Sequence, residues 1–186
     1  MKENMINSII VFGKVLYEQR LNHSHSGNIS IKSGNNILIK KHGAMLGYLT
    51  KKDIISINLY DDSKDKLASL EAKVHRAIYL NNPDIKAVAH AHTIYATVLS
   101  FKNKIIKPID SEGSFYLPQI PILSCKQTIC STEVAEKIPE LISKYKAAVV
   151  KGHGAFAGGK TLEEACLYLS VVESISKIIY LNSLQK

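Results

Sequence analysis

The chain changes its hydrophobic period several times, and each change marks a new element. Over residues 4–18, Ile6, Ile9, Ile10, Phe12, Gly13, Leu16 and Tyr17 recur at the spacing of a helix. Two extended runs at 29–32 and 37–40 flank Ser33-Gly34-Asn35-Asn36, a tight-turn sequence, so they are expected to pair as a hairpin. A third strand is expected over 54–59, followed by a polar loop over 61–66. Leu70, Val74, Ala77 and Ile78 mark an apolar helical face, with Ser69 placed as its N-cap and Asn81-Asn82-Pro83-Asp84 as its stop. Ala87-Val88-Ala89 read as a strand running into His90-Ala91-His92, with a short helix over 94–101 beyond it. Pro108, Pro118 and Pro121 punctuate an irregular region, and a helix starting at Thr132 is expected to break or kink at Pro139. Residues 147–150 read as a buried strand into His153, and Gly158-Gly159 as a turn. Thr161-Leu162-Glu163-Glu164 reads as a capping box that opens a final helix of about twenty residues. Adjacent hairpins favour a largely antiparallel sheet covered by helices, a mixed α/β class.

Composition bounds this picture without dividing it. At 186 residues and 46% hydrophobic content, a single domain over 1–186 with a substantial core is expected. No apolar run approaches the roughly 18 residues of a membrane span, and no secretory leader is legible, so a cytoplasmic protein with no membrane partner is expected. Cys125, Cys130 and Cys166 lack the spacing of a zinc ribbon or redox pair and read as reduced thiols. The net charge of +8 is spread over lysines, and Arg20 and Arg76 stand far apart, which argues against nucleic acid. An anionic small substrate is compatible with that charge.

The candidate chemistry lies in the histidines. Alternate residues of a strand share a face, so His90 and His92 project together while Ala91 points away. His153, between Gly152 and Gly154, can join them as a third imidazole and leave one position of a metal open, as in catalytic zinc sites. The plainer alternative is three unrelated histidines. Glu71 is the candidate base beside such a metal, or else a carboxylate that complements a helix dipole. Gly27-Asn28 can centre a nest of backbone amides for an anion, or simply turn a helix into a strand. His23 and His25 read as solvated loop or pocket-rim residues.

Taken in order, Gly27-Asn28-Ile29-Ser30, His42-Gly43, Ser69-Leu70-Glu71, His90-Ala91-His92 and His153-Gly154 resemble the class II aldolase/adducin family over nearly the whole chain. The resemblance implies a three-layer α/β/α sandwich assembled as a homotetramer, with active sites at subunit interfaces. It implies that His90, His92 and His153 bind Zn2+ or another divalent transition metal, and that Glu71 is the catalytic acid/base and a ligand of the resting metal. Gly27, Asn28, Gly43 and Ser69 correspond to phosphate-binding positions, and His42 stands where the family favours threonine. His42 can replace that hydroxyl as a donor, whereas Leu70, in place of a second serine, cannot. Tyr116 lies in the region of a family tyrosine that protonates the aldehyde oxygen from a neighbouring subunit. The implied reaction is cleavage of a sugar phosphate, a ketose 1-phosphate of the fuculose-1-phosphate kind, to dihydroxyacetone phosphate and an aldehyde. Dehydration of methylthioribulose 1-phosphate, or a non-catalytic adducin-like assembly role, are the alternatives within the family.

Overall fold

The structure is a computed structural model that describes residues 2–63 and 65–185; Lys64, inside the expected polar loop, lies outside the described residues. The opening helix α1 (Lys2–Glu18) leads into the hairpin β1 (Asn28–Ser33) and β2 (Asn36–Lys40), joined through Gly34 at φ +59°. β3 (Ile54–Asn58) pairs with β2, and α2 (Ala72–Asn81) then precedes β4 (Ala87–Ala91). The second half runs α3 (Ile94–Ser100), β5 (Ile105–Ile106), α4 (Ser111–Tyr116) and β6 (Ile120–Leu123). It closes with α5 (Thr132–Tyr145), β7 (Ala147–Val150), β8 (Gly154–Gly159) and α6 (Leu162–Asn182).

The strands form one sheet in the order β3-β2-β1-β4-β8-β7-β6-β5, antiparallel at every pairing except β6 with β7. Each face of the sheet carries its own core. On one side Ile9, Leu16, Ala89, Ala155, Leu169 and Val172 pack α1 and α6 against the sheet; on the other Ile37, Val88, Phe156, Ile78 and Ile138 pack α2 and α5. The result is the expected three-layer α/β/α arrangement. Among the described residues no helix is long and apolar enough to cross a membrane.

Five local expectations are corrected. Gly158 and Gly159 are not a turn but the end of β8, where the absent Cβ atoms admit neighbours: one on Gly159 would lie 2.7 Å from the Glu164 Cβ and one on Gly158 2.8 Å from Ile142. Pro139 sits inside a continuous α5 and is buried, its ring filling the α5 side of the core rather than ending the helix. The proline-punctuated region contains α4, capped by Asp110 accepting from the Gly113 amide, and the short strands β5 and β6. Ser69 is not the cap of α2, because its hydroxyl accepts from the Glu71 amide at 3.4 Å and closes a turn ahead of the helix; Glu71 itself occupies the cap position. The expected box at α6 is offset by one: Thr161 accepts from the Glu164 amide, while the Glu164 carboxylate accepts from Lys160 N–H at 2.7 Å.

Candidate active site

The histidine pair grows from the interior of the sheet. β4 is held between β1 and β8, and His90 stands opposite Asn28 on one side and Phe156 on the other. Its ring stacks on Phe156 with centroids 4.0 Å apart and planes 18° apart. Its Nδ1 donates to the Ala155 carbonyl at 3.0 Å, which fixes the tautomer and leaves Nε2 as a lone pair. That Nε2 is buried without a hydrogen-bond partner among the described residues. His92 lies one residue beyond the strand, its backbone N–H donating to Asn22 Oδ1 at 3.2 Å. His153 arrives from the tight β7–β8 connection, where Gly152 takes φ +73°. Gly154 passes so close to β4 that a Cβ there would lie 2.3 Å from the Ala91 carbonyl oxygen.

The ring centroids of His90, His92 and His153 stand 4.6, 5.0 and 5.1 Å apart, and one nitrogen from each lies within 4.8 Å of the others. Burial holds His90 well below the ordinary imidazole range, with His153 and His92 adding to the effect, and takes His92 down to about 4. Burial lowers His153 too, opposed by the Thr128 backbone, and its Nδ1 is without a hydrogen-bond partner among the described residues. Three deprotonated, convergent and partly orphaned imidazoles are the donor set that a divalent ion with nitrogen ligands and an open position requires. The residues present therefore fit a zinc-type ion.

Glu71 lines the same cleft but falls outside the three-imidazole group, so the geometry does not place it as a fourth ligand. It is 4% exposed; Oε1 accepts from the Cys130 amide at 3.0 Å, and Oε2 is buried without a hydrogen-bond partner among the described residues. Burial pushes its pKa up, opposed by the Cys130 hydrogen bond. Cys130 adopts φ +53° as it turns that amide toward the carboxylate.

Next to the metal end lies a polar pocket. Gly27, at φ +73°, packs under the Asn22 side chain, where a Cβ would come within 2.3 Å; Gly43, also at φ +73°, has open space beside it. One cavity of about 150 Å³ takes in Gly27, Asn28, His42, Gly43, Ser69, Glu71 and the three histidines. The structure thus brings together every sequence-predicted site residue except Tyr116, which closes α4 half-buried against the core and does not line this cavity. His25 lines the rim, and the His23 ring sits edge-on to His92 at 5.6 Å.

Sequence reasoning passed over Lys40, which lines the pocket and is 3% exposed. Its ammonium donates to the His25 carbonyl at 3.4 Å, and no carboxylate stands within ion-pair distance among the described residues. Burial lowers its pKa to about 8, against the attraction of Asp53. β2 is buried for its last four residues, so alternation gave no sign of which face Lys40 serves. The Cys130 amide was also missed, since a backbone donor leaves no mark on a sequence.

A mostly antiparallel eight-stranded sheet between helices, with three imidazoles and a buried carboxyl lining one cleft, is the arrangement that the comparisons with known proteins place in a class of aldolases. The family described as Class II Aldolase and Adducin N-terminal domain matches residues 7–180, and the chain belongs to it; together with the aldolase-named relatives that follow, this marks it as an enzyme of the lyase class. L-fuculose phosphate aldolases of Methanococcus maripaludis and Methanocaldococcus jannaschii are 30% and 29% identical to it over 179 and 174 residues. Those alignments cover 95% and 92% of this chain and 96% and 93% of the relatives. The crystal structure of l-fuculose-1-phosphate aldolase from Thermus thermophilus superposes with a TM-score of 0.92 at 30% identity, covering 97% of this chain and 94% of that one.

Proposed function

We propose that this protein is a metal-dependent aldolase that cleaves a ketose 1-phosphate of the fuculose-1-phosphate kind into dihydroxyacetone phosphate and an aldehyde. It works as a single class II aldolase-like domain, in the cytoplasm, as a homotetramer. The observation that carries the reading is the meeting, in one cleft, of three convergent imidazoles, a buried carboxyl with a partnerless oxygen, and an anion pocket with a buried ammonium. The relatives that bear the name L-fuculose phosphate aldolase support the substrate class.

His90, His92 and His153 would hold Zn2+ or a similar ion, which would supply Lewis-acid polarisation of the carbonyl and hydroxyl oxygens of the ketose. The phosphate lies among Gly27, Asn28, Gly43 and Ser69, whose amides and polar side chains donate to it. Lys40 sets a positive charge beside it, and His42, exposed at the rim, offers a ring nitrogen. Cleavage breaks the bond between the third and fourth carbons as the hydroxyl on the fourth gives up its proton, and the departing fragment becomes the aldehyde. Glu71 then protonates the third carbon, giving dihydroxyacetone phosphate, and removes the same proton in the synthetic direction. A carboxyl whose pKa is raised by burial is suited to holding that proton between steps. Tyr116 does not line the cleft of its own chain, so its role, as proton donor to the aldehyde oxygen in synthesis and as the relay that takes up the fourth-carbon hydroxyl proton in cleavage, is assigned to a neighbouring copy.

The test is elemental analysis of the purified protein together with an assay of dihydroxyacetone phosphate released from ketose 1-phosphates, before and after chelation. About one divalent ion per chain, lost in His92→Ala, and release that chelation stops are the expected results. A fully metallated protein that releases dihydroxyacetone phosphate from none of these substrates refutes the reading.

A further inference from the structure

Behind the pocket lies a buried polar chain that neither the metal nor the acid/base step uses. His75 of α2 is fully buried; its Nε2 meets Asn28 Oδ1 at 2.6 Å and its Nδ1 meets Ser30 Oγ at 2.7 Å. Ser30 Oγ in turn meets the Tyr79 hydroxyl at 2.7 Å, and that hydroxyl also donates to the Ser30 carbonyl at 2.9 Å. Ser30 and Tyr79 are 0% and 1% exposed, and Asn28 is 5% exposed where it borders the cleft.

The direction of the protons follows from what each atom can do. A carboxamide oxygen accepts and cannot donate, so the proton between His75 and Asn28 belongs to Nε2. A neutral imidazole carries one proton, so Nδ1 accepts, and the Ser30 hydroxyl must donate to it. Ser30 Oγ has then spent its proton and accepts from Tyr79, whose proton is shared between Ser30 Oγ and the Ser30 carbonyl. From Ser30 Oγ through His75 to Asn28, each donor points toward Asn28. With Oδ1 engaged from behind, the Asn28 amino group is left to the cleft, where it can donate to an anion and cannot repel it.

We propose that His75, backed by Ser30 and Tyr79, is a positioning residue that locks the Asn28 carboxamide with its amino group toward the phosphate. The proposal rests on the sugar-phosphate reading above. Without the chain, Asn28 is free to turn its oxygen to the pocket, and a dianion meets a lone pair instead of a donor. Selectivity for a phosphorylated over an unphosphorylated ketose is therefore partly built into a helix that does not touch the substrate.

The experiment uses the metallated full chain and measures inorganic phosphate binding by calorimetry, KM and kcat for a ketose 1-phosphate, and metal content. His75→Phe keeps the ring volume and removes the donor; a loss of phosphate affinity of roughly tenfold is expected, with a matching rise in KM, near-constant kcat and unchanged metal. His75→Gln retains an amide donor and is expected to recover part of the loss. Tyr79→Phe, at the far end of the chain, is expected to shift the same parameters in the same direction by less, and it reports on the proposal even if His75→Phe fails to fold. Phosphate affinity unchanged or improved in these variants overturns the proposal, since that is what the opposite orientation of Asn28 predicts. If the wild-type protein itself neither binds phosphate nor cleaves a ketose 1-phosphate, the functional reading fails instead, and the two failures are thereby distinguished.

Discussion

Glu71 and Lys40 are both ionisable groups taken out of water, and burial moves them in opposite directions. For Glu71 the neutral form gains, which favours a group that must carry a proton to carbon. Glu71→Gln is expected to lower kcat by about a hundredfold or more while metal content, measured by elemental analysis, stays unchanged, because the imidazoles hold the ion without it. For Lys40 the charged form loses. Its folded pKa of about 8 lies below the ordinary 10.5, so between those values the unfolded chain binds more protons than the folded one. The ligand-free protein should therefore gain stability as pH rises through that window, with the cost of burying the charge fully present at pH 7. A bound phosphate favours the ammonium, so phosphate affinity should fall as pH passes about 8. Calorimetric titrations at pH 7 and pH 9 check this, and a Lys40→Met variant with weaker binding and no such pH dependence is the expected counterpart. The imidazoles and Glu71 were legible in the sequence because alternation in a strand and a residue placed near a helix start have fixed geometric meaning. Lys40 was not, because β2 buries both faces near its end and leaves no polar side to contrast with.

At the level of elements, the decisive pieces are connections. β8 escaped sequence reading because Gly154-Ala-Phe-Ala-Gly-Gly carries one large side chain and no β-branched residue, although its small residues are what let α5 and α6 approach. The same smallness places His153. Gly154→Ala pushes a methyl into the Ala91 carbonyl and must part β8 from β4 at the point where the three histidines meet. Loss of most of the bound metal is the expected outcome, alongside destabilisation of about 1–3 kcal/mol in denaturant titration. Cys130 is the second connection. Its left-handed backbone costs a non-glycine residue roughly 1–2 kcal/mol, and it presents the amide that holds Glu71. Cys130→Gly should keep kcat and leave stability equal or higher, whereas Cys130→Pro removes the donor, forbids the positive φ and should lower kcat at least tenfold. Comparing the two by steady-state kinetics separates the backbone role from any role of the thiol. Pro139 shows the converse: the expectation of a broken helix followed the local rule, but a buried proline on the packed side of α5 is carried by tertiary contacts.

On the scale of the whole molecule, the stretch from α3 through α4 leaves several large apolar side chains exposed. Ile94, Val98, Phe101, Ile105, Ile109 and Phe115, from α3 through α4, are between 44% and 80% exposed. Such exposure favours association with further copies, and a neighbouring copy is also what the functional reading needs to supply Tyr116. Light scattering is expected to give a tetramer, and Phe115→Asp to shift it toward smaller species with a fall in kcat that tracks the loss of assembly. A monomer at full activity would refute the assignment of Tyr116. A largely antiparallel sheet covered by helices was readable from the adjacent hairpins, and its three layers only through the family resemblance, yet strand order was not, because β4 reaches the interior of the sheet through pairings with β1 and β8 that lie far apart in the chain. That placement has a further consequence. Asn28 and His90 share one rung of the β1–β4 ladder, and partners on a rung are spaced by backbone hydrogen bonds, with side chains starting about 5 Å apart. If the proposed site roles hold, the sheet is a ruler whose two marks are the phosphate at Asn28 and the reacting oxygens at His90. A ketose with its phosphate one carbon further along overshoots the mark, and a slip of one residue would turn Asn28 to the opposite face altogether. On the proposed reading, substrate length at the phosphate end would be set by the fold, leaving the aldehyde end as the side on which substrate range can vary.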